Sequence, residues 1–171
     1  MNLESLNRKN FKYQEFFKSN TAEKLGINNI AEFTKLPTQQ YASYLNNGVN
    51  LTYYLQKIRD LMNDSKSFRK IIDSNEISIL ITSGYRCPAL NKAVGGRPTS
   101  QHTRFEAVDI RINGITEFNK LKEIAVWIKS KDLPIDQLLV EATWLHLSCK
   151  LELANNRKMF GTFIDNKFKS F

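Results

Sequence analysis

Two cysteines and two histidines are all that the 171 residues contain of the strongest metal-binding side chains. Cys87 and Cys149 are too few and too far apart for a disulfide framework, and no CxxC pair is present. They are expected as free thiols in a reducing compartment. Thiolate binds zinc well, so residue type leaves them open as ligands, but their spacing lends no support. Apolar runs are also short: none approaches the roughly 20 residues that span a bilayer, so membrane insertion is not expected. The N-terminal "MNLESLNRKNFKYQEFF" lacks the continuous apolar stretch of a signal peptide, and the chain is expected to stay in the cytoplasm of the producing cell. Internal repeats are absent. A dense basic block is absent too, although the net charge is +8. Dispersed lysines and arginines of this kind suit an anionic polymer or surface better than a specific nucleic-acid partner.

What is present divides the chain into two parts of one expected domain, residues 1–171. The first part, to about residue 75, reads as helical. "NFKYQEFFKSNTAEKLG" carries Phe11, Phe16, Phe17, Ala22 and Leu25 at amphipathic spacing and ends at Gly26, a C-cap candidate. A second helix is expected to start near Thr38, an N-cap candidate just after Pro37. A third covers Leu51 to Met62, where Leu51, Leu55, Ile58 and Met62 repeat along one face. "NDSKSFRKIIDSNE" reads as a short helix or loop. From about residue 76 the pattern changes. "ISILITSGYR" is a β-rich run closed by Ser83-Gly84, and "AVGGRPTS" is a loop. "EAVDIRI" alternates, and a helix is expected from Thr116 to Ser130. "IDQLLVE" and "TWLHLS" are short strands. "RKMFGTFIDNKFKSF" is expected to form a hairpin turning at Asp165-Asn166. Helices followed by a small antiparallel sheet make an α+β domain.

Both histidines fall in this second part. His102 lies in "TSQHTRFEAVDI", seven residues before Asp109, and His146 lies in "TWLHLS". If Val108, Ile110 and Ile112 face the core, Asp109 faces the other side of the sheet. Leu145 and Leu147 likewise leave Trp144, His146 and Ser148 on one face. Pairing of the two strands would place Asp109 and His146 on a common face, with His102 on the loop that enters it. Three ligands and an open fourth position describe a catalytic zinc site rather than a structural one. An acid–base pair of His102 with Asp109 is the plainer alternative, and it leaves His146 without a role.

The order "ITSGYRCPALNKAVGG", "TSQH", "AVDI", "WLHLS" resembles the family of zinc D-Ala-D-Ala carboxypeptidases and related peptidoglycan peptidases. The short single-domain members of phages and bacteria are the most similar. "EFFKSNTAEKLGINN" and "NNRKMFG" extend the resemblance over most of the chain. It implies the fold shared with hedgehog-like peptidase domains, a zinc ion on His102, Asp109 and His146, and a peptidoglycan peptide as substrate. It also implies that Arg86 of "SGYR" lies near the substrate, where a guanidinium holds a carboxylate or carbonyl. The alternative for Arg86 is a structural pin between loop and sheet. Gly95-Gly96 is expected to form the tight loop that brings in Gln101 and His102.

A zinc peptidase needs a carboxylate to move protons. Glu141, five residues before His146 and at a strand end, is the candidate. Glu106 ranks below it, because alternation places it opposite Asp109. The family usually has glycine where this chain has Phe105. The expectation is that the loop has taken a different turn and that the ring covers one wall of the cleft. Two functional readings follow. One is a zinc peptidase cutting stem peptides at a bond that involves a D-amino acid, as a lytic or recycling enzyme; a phage version would be released at lysis or carried in the virion. The other is a non-catalytic wall-binding or virion structural protein with a vestigial peptidase fold, which Phe105 favours.

Overall fold

The computed structural model describes residues 2–171. The N-terminal part is less continuous than its periodicity predicts. The expected helix over "NFKYQEFFKSNTAEKLG" is instead a 3-10 turn, Tyr13–Phe17, followed by helix α1, Asn20–Lys24. The break has two causes. The Phe16 carbonyl accepts the Tyr85 amide at 2.8 Å, which ties this backbone to a distant loop. Ser19 then caps α1 by accepting from the Ala22 amide. Gly26 closes the segment at φ +64°, as a C-terminal glycine should. Helix α2 spans Asn29–Thr34.

The helices expected near Thr38 and over Leu51 to Met62 are one helix, α3, Thr38–Asp64, and Pro37 rather than Thr38 occupies the N-cap position. Leu51, Leu55, Ile58 and Met62 are all buried, as their spacing predicts. The polar middle stays helical because tertiary contacts use it: the Asn47 side chain donates to the Arg104 carbonyl at 2.9 Å. Helix α4, Lys66–Ile72, follows, capped by Ser65.

Strand β1, Ile79–Ser83, then leads through helix α5, Pro88–Ala93, which the sequence pattern does not announce. Strand β2 is Ala107–Ile112 and helix α6 is Phe118–Lys129. Strands β3, Gln137–Glu141, β4, Trp144–Ser148, β5, Met159–Ile164, and β6, Lys167–Ser170, complete the chain. The sheet order is β1-β2-β4-β3-β5-β6. It departs from the expected antiparallel sheet at one place: β3 and β5 run parallel. The connection from β4 to β5 crosses over β3 instead of turning back beside it. The last two strands form the expected hairpin, with Asp165 and Asn166 both at positive φ, as a two-residue turn of type I′ requires.

Alternation gives the sheet two unlike faces. Val108, Ile110, Leu138, Val140, Leu145 and Leu147 are completely buried on one face, against which α6 packs. The other face carries the polar residues taken up next. Among the described residues no helix is long and apolar enough to cross a membrane.

Candidate metal centre and cleft

The register brings the predicted residues together. Asp109 on β2 lies directly opposite His146 on β4, and Leu139 on β3 lies on the other side of His146. His102 arrives from a short 3-10 turn, Gln101–Arg104, that precedes β2. All three side chains are buried, and each offers one ligand atom within 4.8 Å of the other two. His146 Nδ1 is 2.9 Å from Asp109 Oδ1, and His102 Nε2 is 3.3 Å from the same oxygen. Donors placed about 2.0–2.1 Å from a tetrahedral zinc stand about 3.4 Å apart, so the spacing suits the ion.

The protonation pattern suits it as well. His102 Nδ1 donates to the Gly84 carbonyl at 2.7 Å. A carbonyl only accepts, so the proton lies on Nδ1 and the Nε2 lone pair faces the Asp109 carboxylate. Burial lowers the His102 pKa and favours that neutral ring, despite the opposing pull of Asp109. Two acceptors then face one another across a buried gap, an arrangement that a cation resolves.

Arg86 stands beside this group. Its Nη2 donates to Asp109 Oδ2 at 2.6 Å and its Nε to Ser83 Oγ at 2.8 Å. Its amide donates to the His102 carbonyl at 3.1 Å. One residue thus fixes both the carboxylate and the loop that carries His102, and leaves Asp109 Oδ1 turned toward the imidazoles.

These side chains open into a cleft of about 650 Å³ whose lining includes Glu141, Trp144, Arg97, Arg157 and Phe168. Glu141 ends β3 opposite Trp144. Burial raises its pKa, with His146 and Arg86 pulling the other way, which is the direction that suits a proton-transfer group. Glu106 is committed elsewhere, in an ion pair with Arg104 at 2.8 Å. The glycine loop behaves as anticipated. Gly95 has φ +74°, and a Cβ at Gly96 would collide with the Asn91 side chain. The cysteines are buried free thiols outside the three-residue group, and burial pushes the Cys149 thiol up to about 12.

Phe105 contradicts its expectation. The turn has kept the left-handed backbone, φ 58° and ψ 30°. The ring does not cover the cleft. It is completely buried on the opposite side, with its centroid 5.4 Å from that of Phe17, 5.8 Å from Phe33 and 5.9 Å from Tyr85. A left-handed bulky residue costs about 1–3 kcal/mol. Burying a phenylalanine returns about 1.5–3 kcal/mol before its aromatic contacts are counted. Packing therefore offsets the strain.

Sequence reasoning missed a second buried carboxylate. Asp136, just before β3, is completely buried and receives Arg157 Nε at 3.0 Å and the Arg157 amide at 2.7 Å. Arg157 Nη2 also donates to its Oδ2. Gln101, the neighbour of His102, donates to Asp136 at 3.1 Å. The available signal was weak: an aspartate heading the strand "IDQLLVE", and an arginine in "NNRK" twenty-one residues later.

Three converging donors, a nearby carboxylate and an open cleft fit the class of mononuclear metal hydrolases. Residues 9–148 match the family model described as Peptidase M15. The chain belongs to the Peptidase M15 family and is accordingly a zinc-dependent metallopeptidase that acts on a peptide. No curated protein matches it.

Proposed function

We propose that His102, Asp109 and His146 hold the zinc ion and that the chain cuts peptidoglycan stem peptides at a bond involving a D-amino acid. The observation that carries this reading is the convergence of the three donor atoms at the base of a cleft that also presents Glu141. When bound, zinc polarises the scissile carbonyl and lowers the pKa of water. Glu141 takes the proton of the attacking water and returns it to the leaving amine. Arg86 spends Nε and Nη2 within the protein. Its Nη1 is left to orient the substrate carbonyl or carboxylate. The +8 charge favours approach to anionic wall polymers. We read residues 1–171 as one working domain, acting in wall lysis, as a phage endolysin does, or in recycling.

The competing reading, a non-catalytic wall-binding or virion protein, drew its support from Phe105. The turn keeps its left-handed backbone at Phe105, but the ring packs away from the cleft and His102, Asp109 and His146 still converge, which supports the catalytic reading over it. Incubating the zinc-loaded chain with purified muropeptides and identifying products by mass spectrometry tests the proposal. Loss of a terminal D-residue, or scission within the stem, is the expected result; intact muropeptides would overturn it.

A further inference from the structure

The cleft holds an arginine that the zinc chemistry does not use. Arg157 lines it beyond the stretch matched by the family, and its side chain is 46% exposed. Asp136 anchors one edge of the guanidinium through Nε and Nη2, and Nη2 also donates to Gln101 Oε1 at 3.1 Å. Among the described residues Nη1 has no hydrogen-bond partner. An arginine held in this way has surrendered its rotamer freedom before any ligand arrives, so a ligand that meets it incurs little ordering cost.

The local charge is incomplete. Lys150 Nζ also approaches Asp136, at 3.5 Å, so two cations share that carboxylate, and Glu106, the other acid that acts on Arg157, is already paired with Arg104. Arg97 lines the same cleft. Gln101 bonds to both members of the Asp136–Arg157 pair and immediately precedes His102, which ties this cluster to the metal-binding loop. Met159 of β5 and the cross-strand partners Phe163 and Phe168 of the final hairpin add apolar lining.

We propose that Arg157, positioned by Asp136, is a second recognition point that reads a carboxylate of the peptide away from the bond that is cut. The inference rests on the peptidase reading above and narrows its substrate to acidic peptides. A stem peptide offers two sources of that group, its chain terminus and an internal free carboxyl. The plainer role for the Asp136–Arg157 pair is to bolt the last hairpin to the sheet, and that role predicts no preference between an acid and its amide.

The test uses one stem peptide in three forms: the free acid, the form amidated only at its terminus, and the form amidated only at its internal carboxyl. Affinity is measured by calorimetry on the Glu141→Gln chain, so that the peptide survives, and hydrolysis is followed with the native chain. One amidated form should bind about 10- to 100-fold more weakly than the acid, as expected for losing a charged hydrogen bond; its identity names the carboxylate. Adding Arg157→Gln should erase that difference while zinc content stays unchanged, and in the native background the loss should fall on KM more than on kcat. If Arg157→Gln does not fold, Arg157→Lys, which keeps the charge and loses the fork, should narrow the difference several-fold. Equal affinity for all three forms, or a preference that survives both substitutions, overturns the inference. Acid-selective binding without hydrolysis of any form overturns the peptidase reading and leaves this one standing. Absence of both binding and hydrolysis overturns both.

Discussion

Asp109 and Asp136 are both buried; Asp109 lines the cleft, and Asp136 lies behind Arg157, which does. They differ in company. Asp109 faces two imidazoles, one of which points a lone pair at it. Asp136 faces a guanidinium and an ammonium, which bring permanent charge. The first set could hold an added cation. The second already has its cations, and the ligand proposed for it is an anion. Two aspartates in similar burial therefore serve opposite purposes, and the side chains around them decide which.

The comparison can be broken most severely at the histidines. His146→Ala should remove zinc from about one ion per chain to near none and abolish hydrolysis, whereas Asp136→Asn should keep the metal. Metal analysis of both variants decides the matter; full zinc in both His102→Ala and His146→Ala would remove the metal site from Asp109. Next in size is Glu141→Gln. It should keep zinc and fold while turnover falls about 100- to 10,000-fold, and a native rate would return Glu106 to consideration. Phe105→Gly tests the packing behind His102. The lost ring costs about 3–5 kcal/mol, and relief of the left-handed backbone returns part of it. A net destabilisation of about 2–4 kcal/mol is expected in urea melts, with the zinc still bound. Stability equal to the native chain would show that the ring is not part of the core.

The smallest effect separates the two carboxylates by pH. Burial would raise the Asp136 pKa, but the Arg157 hydrogen bonds outweigh it and lower it in the folded state. Its contribution to stability is therefore present above the unfolded value, about 3.9, and is lost as pH falls through the lowered folded one. Asp136→Asn should cost about 1–3 kcal/mol near neutrality and should flatten the loss of stability below about pH 4. An acid limb as steep as that of the native chain would mean that Asp136 does not supply it.

Much of the metal side was legible in the sequence, because period-2 alternation assigns faces within a strand and the spacing of His102, Asp109 and His146 matched a known order. The Asp136 side was not. It depends on β5 lying parallel beside β3, which brings "NNRK" to the head of the strand. A crossover of that kind leaves no local periodic signature. Local propensity also misjudged Phe11 to Leu25, where the hydrogen bond from Tyr85 to Phe16 overrides the helical pattern. At Phe105 the sequence marked the right position and the wrong direction: it showed that a glycine was missing, not which side the ring would occupy.

That ring ties two distant segments by volume. A Cβ at Gly48, in the middle of α3, would come within 2.9 Å of the Phe105 ring and 2.8 Å of Leu6. The empty space at residue 48 and the filled space at residue 105 are one exchange. For protein engineering this means that the loop bearing His102 is not a transplantable part. Moved alone into a scaffold with a larger residue opposite, it would force the ring outward or displace the helix, and His102, three residues away, would move with it. The unit to transplant is the loop together with α3 and the N-terminal aromatic residues. Chimeras that cut between them should fail to load metal even when every ligand is present.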